Sequence, residues 1–334
     1  MKRFTIKDIA KLLNIAPSTV SRALKDHPDV SERTRQRVKE VAAEFNYRPN
    51  TLAINFRNRN SGLIALILPD LNTFFFPSVI KAIQEATKAA GYHLIILQSD
   101  DTLEGEKQSL EFCQQIAVDG IILCIGTETT NLDHLSTFFD QAIPIIFIDE
   151  VIKGERCITV GLDDYQAGYE IGQFLLQKGH FQIAAMIGNA QLNITKERLG
   201  GFLSAHQTKG LSCPPDLILH ADTPSEAGQT FLHMWKSVSS KPTAIFVMTD
   251  ELLVGLMPIV QELGIQTPED LAIICISDGE APSYFHPPIT HLLHDGSLVG
   301  DLAIRTLFEL LQGQRKQIQQ TFYVDMKMVE MGSV

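Results

Sequence analysis

From residue 61 onward the chain alternates short, continuous apolar runs with stretches of helical spacing, and this pattern restricts its fold more than anything else. The runs are Leu63–Leu68, His93–Leu97, Gly120–Ile125, Ile145–Ile148, Ile183–Ile187, Ala244–Val247 and Leu271–Ile276. Helical stretches lie between them at Phe76–Ala90, Gly105–Ala117, Tyr165–Lys178, Lys196–Lys209 and Leu252–Leu263. Strands apolar along their whole length have both faces covered, which predicts an α/β body of parallel sheets flanked by helices. About 270 residues exceed one comfortable hydrophobic core, so two lobes are expected. No stretch approaches the roughly 20 apolar residues that span a bilayer, so no membrane partner is expected.

The first 60 residues follow a different rule. Thr5 followed by Asp8 reads as a helix cap with a carboxylate three residues on. Ile6, Ile9, Ala10 and Leu13 then recur at helical spacing. Asn14 and Ile15 interrupt the pattern, and Pro17 suits the first position of a second helix, where its missing N–H costs nothing. Val20, Ala23 and Leu24 form that helix's buried side, leaving Ser18, Thr19, Ser21 and Arg22 outside. Ser31 caps a third helix whose Val38, Val41, Ala42 and Phe45 are expected to point inward. A helix that exposes hydroxyls and an arginine near its N-terminus suits base edges and phosphates in a major groove.

Charge divides the chain at the same place. Residues 1–60 hold 13 Lys plus Arg against 6 Asp plus Glu, or +7, leaving −18 for the rest of a chain whose net charge is −11. A basic head on an acidic body fits a nucleic-acid-binding end joined to a part that avoids nucleic acid.

Lys2 and Arg3 have no apolar run behind them, so no signal peptide is expected. Cys113, Cys124, Cys157, Cys213 and Cys275 are odd in number and sit mostly in apolar runs. They read as reduced, buried small hydrophobes of a cytoplasmic protein. None has metal-ligand spacing, and neither a metal nor a cofactor is expected. The chain lacks the G-x-G-x-x-G, G-x-x-x-x-G-K-[ST], H-E-x-x-H and G-x-S-x-G patterns. His286, His291 and His294 read as turn or surface residues. Catalysis is therefore not expected.

The segments Thr5-Ile6-Lys7-Asp8-Ile9-Ala10, Ser18-Thr19-Val20-Ser21-Arg22-Ala23-Leu24 and Val30-Ser31-Glu32-Arg33-Thr34, with Asn46-Tyr47-Arg48-Pro49-Asn50 and Ala53, resemble the headpiece of the LacI/GalR family of bacterial transcription regulators. The similarity runs the length of the chain. It implies a helix-turn-helix headpiece (residues 1–49), a hinge (50–60), and a two-lobed body (61–334) resembling a periplasmic sugar-binding protein. The N-lobe would comprise about 61–161 and 292–322, the C-lobe about 162–291 and 323–334, with crossings near Gly161, His291 and Phe322. By resemblance, Pro17, Ser18 and Arg22 read bases, Thr19, Ser21 and Thr34 contact phosphates, and Thr5 also belongs to the DNA-binding set. Asn50 and Ala53 belong to the hinge helix, and Phe56 stands where the family places an intercalating Leu. A large apolar side chain can unstack a base step there; the alternative is that Phe56 packs on the body. Ala16 stands where a capping Ser is common.

The resemblance also marks an inter-lobe cleft for a small effector, most simply a carbohydrate. Its candidate ligands are Phe75, Phe76, Asp163, Arg198, Asp250 and Asp278. Aromatic rings pack on a sugar's apolar face, and a guanidinium fork suits vicinal hydroxyls or an anion. Competing structural readings are core packing for one phenylalanine, a salt bridge for Arg198 and a helix cap for Asp163. Glu150, Thr223 and Cys275-Ile276 depart from the family pattern beside the cleft, which keeps open a nucleobase effector or none. Trp235 reads as a packed helix residue. A homodimer on a palindromic operator is implied, with Phe76–Ala90 and Leu252–Leu263 at its seam. No leucine heptads follow Tyr323–Val329, so a tetramer through a C-terminal bundle is not expected.

Overall fold

The computed structural model describes residues 5–24, 26–45, 47, 61–149 and 156–334. Asn50, Ala53, Phe56 and Glu150 lie outside the described residues. The chain divides into two compact units, residues 1–61 and 62–334.

The first unit holds α1 (Ile6–Leu13), α2 (Pro17–Leu24) and α3 (Glu32–Glu44). Local sequence accounts for each boundary. The Thr5 backbone N–H and hydroxyl both donate to the Asp8 carboxylate, at 2.8 and 2.6 Å, closing the start of α1. Asn14 ends it in the left-handed region, φ 52°. Ala16 offers only its carbonyl, which accepts from Thr19 and Val20 N–H at the start of α2. The Ser31 hydroxyl accepts the Thr34 N–H at 3.3 Å and caps α3. Ile9, Ala10, Val20, Ala23, Val30, Val38 and Ala42 form the core. Phe45 departs from expectation: it is 44% exposed. The helix ends one residue before it, and Tyr47 packs on the core instead, its N–H on the Ala42 carbonyl.

The second unit is α/β. Residues 62–161 supply β1 (Leu63–Leu68), α4 (Phe76–Ala89), β2 (His93–Gln98), α5 (Leu103–Gln115), β3 (Gly120–Leu123), α6 (Ser136–Asp140), β4 (Ile145–Ile148) and β5 (Ile158–Gly161). Residues 162–293 supply α7 (Asp164–Gln177), β6 (Ile183–Ile187), α8 (Asn193–Thr208), β7 (Ile218–His220), α9 (Pro224–Ser237), β8 (Ala244–Val247), α10 (Asp250–Glu262), β9 (Ala272–Ser277) and β10 (Thr290–Leu293). The chain then gives α11 (Gly296–Leu311), β11 (Gln320–Tyr323) and β12 (Lys327–Val329).

Two six-stranded sheets result, in the orders β11-β5-β4-β3-β1-β2 and β12-β10-β9-β8-β6-β7. All pairings are parallel except β10 with β12. The chain passes between sheets after Gly161, after Leu293 and after Tyr323. Central strands β1, β3, β4, β6, β8 and β9 are almost wholly buried, as continuous apolar runs covered on both faces require.

α7 and α8 pack with their backbones in near contact. A Cβ on Gly168 would stand 1.9 Å from the Arg198 carbonyl oxygen, and one on Gly201 would stand 1.9 Å from the Tyr165 carbonyl oxygen. Only glycine permits this approach. It lays the start of α7 against the first two turns of α8, where Arg198 projects.

Candidate DNA interface and effector cleft

On α2, burial separates the side chains as the sequence pattern requires. Val20 and Ala23 are buried, Pro17, Ser18 and Arg22 are exposed, and Thr19 and Ser21 are half-buried. Among the described residues the exposed Arg22 guanidinium makes no hydrogen bond or ion pair, so it is available to an anion or a base edge. Thr5 and Thr34 are already used locally: Thr5 on Asp8, and the Thr34 hydroxyl 2.9 Å from the Ser31 hydroxyl. Arg35 and Lys39 are turned onto Asp26, with Lys39 Nζ 2.6 Å and Arg35 Nε 3.7 Å from its carboxylate. Lys39 holds the Asp26 carboxyl below the usual carboxylate range.

The second constellation sits at the carboxyl ends of β6, β8, β9 and β10, where open α/β sheets place ligands. Two helices begin earlier than their apolar spacing predicts, because capping residues open them. The Asp163 carboxylate accepts the Gln166 N–H at 3.0 Å and caps α7. Thr249 caps α10 through the Leu252 N–H. The residues after the caps, Asp164 and Asp250, are thereby fixed in first helical turns.

Arg198 is 3% exposed and is the one buried lysine or arginine among the described residues. Its Nε donates to Asp164 Oδ1 at 2.8 Å, and its Nη1 donates to the Met248 carbonyl at 3.0 Å. Burial pushes the Asp164 carboxyl up to about 6, with Arg198 opposing the rise and Asp149 and Asp163 adding to it. Asp250, 4% exposed, is raised to about 7, chiefly by burial. A hydrogen bond from Ser277 opposes that rise, and the charges of Glu251 and Asp278 reinforce it. Burial also raises Asp278, against hydrogen bonds from the Glu280 N–H and the Ser78 hydroxyl.

The first lobe reaches this cluster through the start of α4. The Phe74 N–H donates to Glu251 at 3.0 Å, and the Ser78 hydroxyl donates to Asp278 at 3.1 Å. The Phe75 ring stacks on His294 with centroids 4.3 Å apart. Phe76 is buried in the main core.

His294 is the residue that sequence reasoning misplaced. It is 4% exposed, not a surface residue, because it directly follows an inner strand of the sheet and its N–H bonds the Ser277 carbonyl at 2.7 Å. His291 is likewise buried, whereas His286 is exposed. Burial, with Arg198 nearby, drops the His294 imidazole to about 3, so it is neutral at physiological pH. Asp164 and Thr195 were also missed. Thr195, one turn before Arg198, is 1% exposed.

Among the described residues three buried side-chain atoms of the cluster have no hydrogen-bond partner: Thr195 Oγ1, Asp250 Oδ1 and His294 Nε2. Buried polar groups are normally paired. These three orphans and the buried guanidinium are polar groups that the hydroxyls of a ligand would satisfy. Of the residues expected there, Phe75, Arg198, Asp250 and Asp278 come together. Asp163 serves the helix cap, and Phe76 serves the core. Thr223 caps α9 through the Glu226 N–H, Cys275 is fully buried, and Trp235 packs on Phe231.

Among the described residues no group of His, Cys, Asp and Glu is arranged to hold a metal ion, and no helix is long and apolar enough to cross a membrane.

Comparison with known proteins matches residues 5–50 to the model of bacterial regulatory proteins of the lacI family. Residues 61–283 match the model of periplasmic binding proteins and the sugar-binding domain of the LacI family. The chain is 30% identical over 316 residues to the HTH-type transcriptional regulator DegA of Bacillus subtilis (strain 168), covering 94% of each protein. It is 28% identical over 332 residues to the HTH-type transcriptional repressor PurR of Edwardsiella ictaluri, covering 99% of this chain and 96% of that protein. Its fold matches the Lac repressor dimer bound to operator and the anti-inducer ONPF, with a TM-score of 0.87 at 22% identity and 99% coverage of each chain.

Proposed function

This chain belongs to the LacI family of bacterial regulatory proteins, and on that premise we propose that it represses transcription under the control of a small ligand. Two subunits present two headpieces to a palindromic operator, with α2 in the major groove of each half-site. Pro17, Ser18 and Arg22 read base edges. Thr19, Ser21 and Thr34 contact phosphates and Thr5 lies at the DNA, with the Thr5 and Thr34 hydroxyls also holding helix starts. Asn50, Ala53 and Phe56 make the hinge contact with the minor groove. The observation that carries this reading is the solvent-facing hydroxyl and arginine surface of α2 on a basic segment, in a chain whose body is strongly acidic.

The effector, a sugar or sugar derivative, lies against Phe75 and hydrogen-bonds Arg198, Asp250 and Asp278. Phe74 and Ser78 of the first lobe touch Glu251 and Asp278 of the second, and Phe75 stacks on His294 in the segment that crosses between them after β10. A ligand seated at this contact changes how the lobes meet. It shifts operator affinity to the extent that it prefers one arrangement. α4 and α10 supply the dimer seam, and the protein works in the cytoplasm as a regulator without catalytic activity.

The test is operator selection from a random duplex library, followed by fluorescence anisotropy across salt. Expected is a selected palindrome whose binding falls steeply between 50 and 200 mM salt, as phosphate contacts release counterions; several such contacts cost about 10³-fold or more. Equal, salt-insensitive binding to unselected DNA would refute the reading.

A further inference from the structure

The cleft's charge balance identifies the chemical class of its ligand. Arg198 is the single buried cation among the described residues, and Asp164 already neutralises it at 2.8 Å. Lys196 lies on the solvent side of α8 and spends its amine on the Gln191 carbonyl. That leaves Asp250 and Asp278, close enough that the Asp278 charge raises the cost of ionising Asp250, with Glu251 adding to the same field. Their partners are all uncharged. Asp250 has the Ser277 hydroxyl and the Asp278 N–H. Asp278 has the Ser78 hydroxyl and the Glu280 N–H. His294 adds no charge, since burial keeps it neutral at physiological pH.

Two neighbouring carboxylates, Asp250 buried and Asp278 half-buried, either retain a proton or take a counter-cation. Among the described residues no donor reaches one oxygen of Asp250, in a residue 4% exposed. Among the described residues the buried Thr195 hydroxyl, one turn before Arg198, and His294 Nε2 are likewise unpartnered and suit ligand hydroxyls. An anion placed here would meet Asp250, Asp278 and Glu251 with only a half-spent guanidinium in its favour.

We propose that the effector is a small polyol bearing a protonated amine, with the ammonium bound between Asp250 and Asp278 and the hydroxyls on Arg198, Thr195 and His294. This rests on the reading of the cleft as the effector site. It adds the sign of the ligand's charge.

Matched pairs test it in the full-length protein. Thermal unfolding at pH 7.0 is followed with 1-amino-1-deoxysorbitol against sorbitol, D-glucosamine against D-glucose, and glucose 6-phosphate and glucuronate as anions. Expected is stabilisation by an amine, at least 10-fold tighter than by its uncharged counterpart, with no anion binding. Asp250→Asn and Asp278→Asn should each reduce that preference. The ligand-free Asp250→Asn protein should also gain stability over wild type as pH rises from 4 to 8, because a buried carboxylate without a counter-cation has been removed. The proposal is overturned if neutral polyols bind as well as amines, if an anion binds, if no amine stabilises the protein at 10 mM, or if ligand-free Asp250→Asn shows no such gain. Operator affinity of the wild-type protein with no added compound tests the regulator reading separately.

Discussion

Gly200 and Gly201 are adjacent in α8, yet alanine at the two positions should act in opposite directions. At Gly201 a methyl group would sit 1.9 Å from the Tyr165 carbonyl oxygen and 2.8 Å from the Tyr169 amide nitrogen. Both are backbone atoms, so no rotamer change relieves the overlap, and α7 and α8 must separate by more than an ångström. Overpacking of this kind costs about 3 kcal/mol at the upper end of its range. The better helix propensity of alanine returns about 1 kcal/mol, leaving a net loss of about 2 kcal/mol. At Gly200 the added carbon meets only the Tyr165 ring at 3.7 Å, an ordinary contact. Propensity then dominates and the substitution stabilises by about 0.5–1 kcal/mol. In a domain of this size each kcal/mol moves Tm by about 2–4 °C. Gly201→Ala should therefore melt about 4–8 °C below wild type and Gly200→Ala about 1–4 °C above it, with urea midpoints shifting in the same senses. Because Arg198 and Asp164 face each other across this seam, Gly201→Ala should also weaken effector binding. Equal Tm values for the two variants, or a stable Gly201→Ala, would refute the account of the helix contact.

Other substitutions probe the remaining features. Arg198→Met strands Asp164 without its counter-charge, a loss of about 3–5 kcal/mol at pH 8. Asp164 is raised above its unfolded value even with Arg198 present, so the cost grows as pH climbs through that range and shrinks toward pH 4, where the carboxyl is protonated. Thermal melts at the two pH values check this, and a pH-independent loss would contradict it. Glu106 is fully buried and accepts the Thr129 hydroxyl at 2.9 Å and the Gly126 N–H at 3.3 Å, with His134 Nε2 2.5 Å away. Glu106→Ala leaves those groups unpaired and should cost about 2–3 kcal/mol in urea unfolding; an unchanged midpoint would show that the loop does not depend on this carboxylate. Arg22→Ala should weaken operator binding by about 1–3 kcal/mol and relax preference at one base pair, read by anisotropy on a panel of mutated operators. Phe56→Ala should lower operator affinity if this ring enters the base stack, and unchanged affinity would argue that it does not.

The headpiece was legible because its signals are local. Thr5 with Asp8, Pro17, and Ser31 with Thr34 each set a helix end through partners at most three residues away, and alternating burial on α2 follows directly from helical spacing. The long apolar strands were legible for a similar reason, since a segment buried on both faces must be apolar throughout. The edge strands β7, β11 and β12 were not, because three or four residues with mixed polarity carry no period. Phe45 missed the core and Tyr47 packed on it because the exact end of α3 decided which ring turned inward. The family resemblance pointed to Arg198, Asp250 and Asp278, yet it marked neither the pairing of Arg198 with Asp164 nor the burial of Thr195 and His294. Those depend on contacts such as Ser78 with Asp278 and Phe75 with His294, made between residues some two hundred positions apart. A carboxylate's partners and its distance from water set its charge, and both are fixed only when the two sheets bring their strand ends together.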